Sequence, residues 1–190
     1  LCDSGGQYKY GTTDVTRTIC FSKPNKKVKK IFTMVLKGHI AVVSTNLNIH
    51  KHGNLIDVRA RRSLKSASLD YAHGTGHGVG FFLNVHEGPQ AISKYNKIKF
   101  EPGMIVSNEP GYYKKNKFGI RIENLIHVIK SNKKILFKNL TLVPIDKELI
   151  NFNMLNKQEK KYLKDYHQQV YKKLSGYLNL NERIWLKSLI

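Results

Sequence analysis

The chain has 190 residues, of which 41% are hydrophobic, and its 33 basic and 13 acidic side chains give a net charge of +20. This length suits one domain that buries roughly 70% of its unfolded surface, which argues against a disordered chain. No apolar run approaches the roughly 20 residues needed to span a membrane, so no membrane association is expected. The lysine excess fits either a solvated surface or an anionic partner. Because the lysine clusters have no RNA-binding or helix-turn-helix signature beside them, we expect no specific nucleic-acid partner.

The first third of the sequence predicts two strands followed by two helices. The segment "LCDSGGQYKYGTTDVTRTICF" predicts a pair of strands around a turn at Tyr10-Gly11. Apolar residues at helical spacing then predict an amphipathic helix over about 25–45, opened by a proline. A second helix is expected over about 57–67, with Asp57 near its N-terminus.

The two cysteines, Cys2 and Cys20, lie at the ends of the predicted strand pair. Two cysteines do not make a disulfide framework, so we expect two reduced thiols in the core. Reduced thiols are typical of an intracellular compartment.

The middle of the chain is β-rich. A glycine- and histidine-rich segment over 71–89 precedes two predicted strands over 103–113 and 119–129, and "KILFKNLTLVPI" predicts further β structure. There is no internal repeat and no flexible linker. The pattern therefore predicts one α+β domain.

The last forty residues return to a helical pattern. Asn156, followed three residues later by Glu159, resembles a capping box. The predicted buried stripe of this helix consists of Tyr162, Leu163, Tyr166, Val170 and Leu174. A final short helix is expected to be anchored by Trp185, Leu186 and Leu189.

Five side chains in or beside predicted strands stand out as candidate metal ligands: Asp3, Asp14, His77, Glu109 and Glu123. Four acids gathered in a core would repel one another unless cations lay between them. Two metals about 3.5–4 Å apart, sharing bridging carboxylates, would solve this. Oxygen-dominated ligation with one histidine favours Mn²⁺ or Co²⁺, with Zn²⁺ as an alternative. Taken singly, each residue has an ordinary structural explanation, such as a turn aspartate, a core histidine, or a pairing of Glu123 with Arg121.

Four motifs occur in order: "DSGGQYKYGTTDVTRT", "HGTGHGVG", "SNEPGYY" and "GIRIEN". They resemble the metal-binding segments of the pita-bread metallopeptidases, and within them the eukaryotic cytosolic Xaa-Pro aminopeptidases (aminopeptidase P). The tail "LNKQEKKYLKDYHQQVYKKL" is similar to the C-terminal end of those enzymes, so the resemblance covers essentially the whole chain. It implies an α+β pita-bread fold that is incomplete at its N-terminal side. Residues 1–190 would be the C-terminal portion of the metallopeptidase catalytic domain, ending in a helical tail over about 156–190.

The resemblance also implies a role for each matching residue. Asp3 would bind one metal, Asp14 and Glu123 would bridge both metals, and His77 would be the imidazole ligand. Glu109 would bind the second metal and act as the proton shuttle. His73 and His86 would bind the substrate, and Arg121 would orient an acidic ligand. The implied reaction is hydrolysis of the N-terminal X-Pro bond by a metal-bridging hydroxide, with two divalent ions, most simply Mn²⁺.

The implied partners are peptides with proline at the second position and, in the full-length enzyme, a second copy of the chain. The implied location is the cytoplasm, with a lytic compartment left open. Two alternatives remain: a peptidase resembling methionine aminopeptidase, which has the same fold and ligands, and a non-catalytic pita-bread module that binds nucleic acid or protein. The long "GTTDVTRT" and "HEGP" segments favour the proline-specific branch over the first. The complete ligand set argues against the second.

Overall fold

The computed structural model describes residues 1–189 and divides the chain into two compact units. Unit 1 comprises Leu1–Thr18 and Met34–Thr141, and unit 2 comprises Ile19–Thr33 and the chain from Leu142 onward. In chain order the strands and longer helices are β1 (Cys2–Tyr8), β2 (Gly11–Arg17), α1 (Lys26–Val43), α2 (Gly53–Lys65), β3 (Gly76–His77), β4 (Ala91–Ile92), β5 (Ile105–Asn108), β6 (Gly111–Lys114), β7 (Phe118–Arg121), β8 (Asn124–Ser131), β9 (Lys134–Asn139), α3 (Lys157–Leu174) and α4 (Leu180–Leu189). The predicted α+β class is confirmed. Among residues 1–189, no helix is both long and apolar enough to cross a membrane.

The first two strands of unit 1 form the predicted antiparallel hairpin. The register pairs Asp3 with Thr16 and Gly5 with Asp14. Residues directly across an antiparallel ladder project from the same face, and so do residues two apart on one strand. The hairpin therefore presents Asp3, Asp14 and Thr16 on one face.

The two cysteines are free thiols, but the prediction that both lie in the core is wrong. Cys2 is exposed and Cys20 is only partly buried. Cys2 pairs with Arg17 in the hairpin. Cys20 lies beyond the end of β2 and takes no part in the strand pairing.

The two long strands predicted in the second half of unit 1 are each interrupted at a glutamate. Glu109-Pro110 separates β5 from β6, and Ile122-Glu123 separates β7 from β8. Proline has no N–H to donate to a ladder, and the N–H of Glu123 bonds instead to the carbonyl of Thr16 at 3.1 Å. The halves consequently join different sheets, β5 with β8 and β9, and β6 with β7.

Helix α1 agrees with the prediction over about 25–45 and supplies much of the apolar packing. Its side chains Val35, Leu36 and Val42 are fully buried. The spacing of these three residues places them on one side of the helix, as the periodicity indicated.

Helix α2 begins at Gly53, one turn earlier than the predicted start at about residue 57, so Asp57 lies beyond the first turn. A Cβ at Gly53 would lie 1.8 Å from the carbonyl oxygen of Ala91, so the close approach of the backbone here requires glycine. Asp57 is buried inside the helix. Its carboxylate bonds Arg61 and Thr75 rather than capping the helix.

A buried histidine of α1 contacts the two interrupted strands. The Nδ1 atom of His39 lies 3.2 Å from the carbonyl oxygens of both Asn108 and Ile122. These carbonyls immediately precede Glu109 and Glu123. Because carbonyls only accept hydrogen bonds, the proton of the neutral ring lies on Nδ1. His39 therefore links the backbone at the two positions that directly precede Glu109 and Glu123.

In unit 2, helix α3 begins with the predicted capping box. The Asn156 side chain accepts a hydrogen bond from the Glu159 N–H at 2.9 Å, and the Glu159 carboxylate accepts one from the Asn156 N–H at 2.8 Å. The buried residues of the helix are Leu163, Tyr166, His167 and Val170. Tyr162 and Leu174, predicted for this stripe, are only partly buried.

Helix α4 is buried through Leu186, and the prediction that Trp185 anchors it is wrong. Leu186 is 3% exposed, whereas Trp185 is 62% exposed. Adjacent helical residues point about 100° apart, and in α4 the side that buries Leu186 leaves Trp185 exposed. Leu189 is partly buried, and Ile190, the last residue of the predicted tail, lies outside the described residues.

The buried state of His39 predicts a pH dependence of stability. Burial, with a smaller effect of the charge on Arg17, lowers the pKa of His39 from 6.5 to about 3. The unfolded state therefore binds a proton that the folded state does not, and stability falls as pH drops below about 6.5. Glutamine keeps a donor but does not titrate. His39→Gln should lower the slope of unfolding free energy against pH by up to about 1.4 kcal/mol per pH unit. Urea unfolding of the metal-free protein from about pH 5 to 6.5 measures this, and equal slopes would contradict it.

Candidate metal centre

All eight candidate site residues line a single cavity of unit 1 with a volume of about 460 Å³. They are Asp3, Asp14, His73, His77, His86, Glu109, Arg121 and Glu123. The hairpin contributes two of them, strand β3 and its flanking segments contribute the histidines, and the strand interruptions contribute the glutamates. The fold thus gathers side chains that lie far apart in the sequence.

The candidate ligands form three overlapping sets, each with donor atoms within 4.8 Å of one another. The sets are Asp3 with Asp14 and Glu123, His77 with Glu109 and Glu123, and Asp14 with His77 and His86. Asp14, His77 and Glu123 each belong to two sets. The imidazole has only Nε2 free for an ion, because its Nδ1 faces the Gly78 carbonyl. Only the two carboxylates could therefore bridge two neighbouring ions, and they are the residues predicted as bridges.

Hydroxyl groups fix the orientation of the two glutamates. The Thr16 hydroxyl donates to Glu123 at 2.6 Å, and the Ser107 hydroxyl donates to Glu109 at 2.9 Å. Both glutamates line the cavity. The alternative that Glu123 simply pairs with Arg121 finds no support, because the Arg121 guanidinium bonds the Asp3 carboxylate instead.

Glycines on both sides of His77 allow its backbone to pack closely. A Cβ at Gly76 would lie 1.9 Å from the Ser107 carbonyl oxygen, and one at Gly78 would lie 2.0 Å from the Glu87 carbonyl oxygen. The Nδ1 atom of His77 lies 2.9 Å from the Gly78 carbonyl, which fixes a proton on Nδ1. Nε2 is then the atom that faces the acids, as in a metal-bound histidine whose other nitrogen is held by a carbonyl.

The electrostatics of the cavity favour a cation. Burial and the nearby charge of Glu109 raise the pKa of Glu123 to about 7. Burial alone would disfavour a charged His77, yet hydrogen bonds to Asp14 and Glu109 raise its pKa to about 10. The site therefore retains protons to offset its crowded carboxylates. Divalent ions would offset the same charge, and four carboxylates with one imidazole suit Mn²⁺, Co²⁺ or Zn²⁺.

A chain of hydrogen bonds joins Asp3 to His73. Arg121 donates to Asp3 at 2.5 Å and to the Tyr113 hydroxyl at 2.9 Å. The Tyr113 hydroxyl lies 2.8 Å from Nε2 of His73. Because a guanidinium only donates, the Tyr113 hydroxyl accepts from Arg121 and donates to His73.

His86 lies at the outer wall of the cavity. Its exposed ring lies 3.8 Å from that of His77, centroid to centroid. Together with Leu83 and Val85 it lines an adjoining cavity of about 440 Å³, which also reaches Asp3 and Asp14.

The sequence analysis did not identify Thr16 and Tyr113 as site residues, although a feature of the sequence is associated with each. Thr16 follows Asp14 by two positions on a strand and so shares its face. Tyr113 lies opposite Gly119 in the pairing of β6 with β7, and the missing side chain leaves room for its ring. A Cβ at Gly119 would come within 3.1 Å of that ring.

The profile described as "Metallopeptidase family M24" matches residues 1–130. The chain belongs to this family. The profile described as "C-terminal region of peptidase_M24" matches residues 134–189. The fold is the pita-bread fold of the M24 enzymes.

Several proteins and solved structures are similar to the chain over most of its length. Proteins named "Probable Xaa-Pro aminopeptidase P" from Coprinopsis cinerea and Laccaria bicolor are each 48% identical over 98% of this chain, which covers 32% and 31% of their lengths. The structure of X-prolyl aminopeptidase from Caenorhabditis elegans, described as a cytosolic enzyme with a di-nuclear active site, superposes with a TM-score of 0.91 at 37% identity. The alignment covers 98% of this chain and 32% of that one. Prolidase from Pyrococcus furiosus gives a TM-score of 0.65 at 31% identity, over 73% of this chain and 40% of that one. This M24 chain spans about a third of the length of the curated relatives it matches.

The hydroxyl that orients Glu123 predicts a measurable effect on metal binding. Thr16→Val keeps the side-chain shape but removes the hydrogen bond donated to Glu123 and the one accepted from Arg121. Since Glu123 is a candidate ligand and Arg121 holds another, we expect Mn²⁺ to bind about 10–100-fold more weakly. Thr13→Val is the matched control, because Thr13 is exposed and bonds only the Gly6 carbonyl, at 3.5 Å. Calorimetric titration of both variants with Mn²⁺ makes the comparison. Equal affinities would show that Thr16 does not orient a ligand.

Proposed function

We propose that this chain carries the dinuclear metal site of an aminopeptidase that hydrolyses the N-terminal X-Pro bond of peptides. Residues 1–190 would form the C-terminal portion of its catalytic domain, with a helical tail from about residue 156. The observation that carries the proposal is the convergence of a complete donor set on one cavity, in a chain 48% identical to a probable Xaa-Pro aminopeptidase P. The activity is proposed for the whole protein in which the chain occurs.

Five side chains would hold two divalent ions: Asp3, Asp14, His77, Glu109 and Glu123. Asp14 and Glu123 would contact both ions, because each belongs to two donor sets and, unlike His77, offers two carboxylate oxygens. The oxygen-rich donors favour Mn²⁺, with Co²⁺ or Zn²⁺ as alternatives. When bound, the two ions would supply Lewis acidity, which would make a hydroxide nucleophile available at neutral pH and polarise the scissile carbonyl.

Glu109 would hold and deliver a proton. One of its oxygens accepts from Ser107, and the other lies 4.0 Å from Nδ1 of His73. The nitrogen of an X-Pro amide carries no N–H and must be protonated as the bond breaks. Glu109 would take the proton released by the attacking water and pass it to the proline nitrogen.

His73 and His86 would bind the substrate around the scissile bond and stabilise the developing oxyanion. Nδ1 of His73 lies 2.7 Å from the Gly74 carbonyl, and Nε2 accepts from Tyr113. Both ring nitrogens are thus engaged, so substrate binding would exchange one of these partners. Arg121 is bonded to Asp3, Thr16 and Tyr113. It would fix the position of Asp3 directly and that of His73 through Tyr113.

The resemblance extends the proposal to the setting of the whole protein. The Caenorhabditis elegans relative is described as cytosolic, which supports a cytoplasmic location. A homodimer of the full-length enzyme rests on the family resemblance alone. Light scattering of the purified protein measures the subunit number.

The intact protein loaded with Mn²⁺ should release the first residue from an Arg-Pro peptide with a kcat/KM at least about 100-fold above that for a Met-Ala peptide. The reverse preference would favour the methionine aminopeptidase alternative. Cleavage of neither peptide, with salt-dependent RNA binding by the metal-free protein, would favour the non-catalytic module.

Removal of the proposed proton carrier should lower the rate without unfolding the protein. Glu109→Gln keeps the side-chain shape and should lower kcat for the Arg-Pro peptide by about 10²–10⁴-fold. The control is Glu101→Gln, at an exposed glutamate outside the cavity lining, which should leave kcat within about twofold. Equal kcat values for the two variants would remove Glu109 from the mechanism.

A further inference from the structure

One buried arginine of α2 makes hydrogen bonds with every nitrogen of its guanidinium. Arg61 is 9% exposed. Nε donates to the Asp57 carboxylate at 2.9 Å, and Nη1 donates to the Asp70 carboxylate at 2.8 Å. Nη1 also donates to the Tyr71 carbonyl at 2.7 Å, and Nη2 donates to the His73 carbonyl at 2.7 Å.

Most of these hydrogen bonds have their acceptors in the segment that leads to the cavity, and not in the helix that carries Arg61. Three of the four acceptors belong to residues 70–73, which follow α2 and end at His73. The ring of Tyr71 also lies against the guanidinium, 3.9 Å from its central carbon. A planar donor with this many fixed directions determines both the position and the direction of the segment.

The same network continues to the glutamate of the site through Thr75. The Thr75 hydroxyl accepts from the Tyr71 hydroxyl at 2.5 Å and donates to Asp57 at 2.6 Å. The Thr75 carbonyl accepts from the backbone N–H of Glu109 at 2.8 Å. Asp57 thus receives hydrogen bonds from both ends of the network.

We propose that Arg61 is a positioning residue for His73. Its guanidinium fixes the position of the His73 carbonyl and of residues 70–73, and thereby the position from which the His73 imidazole reaches the cavity. This inference rests on the proposed peptidase function. Arg61 does not belong to the residues that line the cavity, so it acts through His73. Lysine would keep the positive charge but not the fork that bonds the Asp70, Tyr71 and His73 acceptors together.

The test compares Arg61→Lys with Arg59→Lys in the intact protein loaded with Mn²⁺. Arg59 lies on the same helix and bonds the Thr45 hydroxyl at 3.2 Å, outside the network. We expect R61K to lower kcat/KM for the Arg-Pro peptide by about 10–100-fold, because small misplacements of binding groups are costly, with two bound ions retained. R59K should stay within about twofold of the wild type. Equal values for R61K and R59K would overturn the inference.

A double-mutant cycle separates positioning from a general structural role. If Arg61 acts through His73, R61K should cause no further loss in kcat/KM in a His73→Ala background. A loss that multiplies that of H73A would overturn the inference. Should R61K fail to fold, Asp70→Asn removes one acceptor charge and should lower kcat/KM by roughly threefold to tenfold. No loss in D70N would likewise overturn the inference.

A spectroscopic measurement keeps the inference distinct from the proposed function. A wild-type protein that cleaves no X-Pro peptide would refute the function but would leave the placement of His73 measurable. NMR of the imidazole resonances in the metal-free protein should show a shifted His73 signal in R61K or D70N and an unchanged one in R59K. An unchanged His73 signal in both network variants would overturn the inference.

Discussion

The structure depends on the electrostatic cost of gathering four carboxylates around one imidazole in a partly buried cavity. Glu123 is 2% exposed, and its raised pKa of about 7 reflects burial beside Glu109. A group of this kind is stable only when protons or cations offset its charge. The family to which the chain belongs is a metallopeptidase family, and the donor set matches that requirement.

Much of the surrounding fold serves to hold these donors without adding charge. The hairpin sets Asp3 and Asp14 on one face through its register. Neutral hydroxyls orient the glutamates, while His39 donates to the carbonyls that precede them. Arg121 is the exception, because its guanidinium pairs with the Asp3 carboxylate. The glutamates are thus held by hydroxyl groups and backbone geometry, whereas Asp3 is held by an ion pair.

The sequence predicted local structure well and long-range contacts poorly. The hairpin, α1 and the capping box of α3 follow from neighbouring residues, so their patterns sufficed. The strand interruptions at Glu109 and Glu123 depend on which sheet each half joins, because β5 pairs with β8 whereas β6 pairs with β7. The motifs identified the side chains that line the cavity. The role of Tyr113 depends on His73, forty residues away. The partners of Arg61 are near in sequence, but its bonds to the carbonyls of Tyr71 and His73 depend on the path of the backbone after α2, which no side-chain pattern shows.

The small size of the sheets that meet at the cavity has a further consequence. The hairpin β1–β2 and the pair β3–β4 each have only two strands. Two-stranded sheets are marginally stable by themselves, so ions held jointly by Asp14, His77 and Glu123 would act as cross-links between otherwise weak pieces. In a cell short of divalent metal these pieces would open more often and expose cleavable backbone to proteases. Metal supply would thus govern the lifetime of the protein as well as its chemistry.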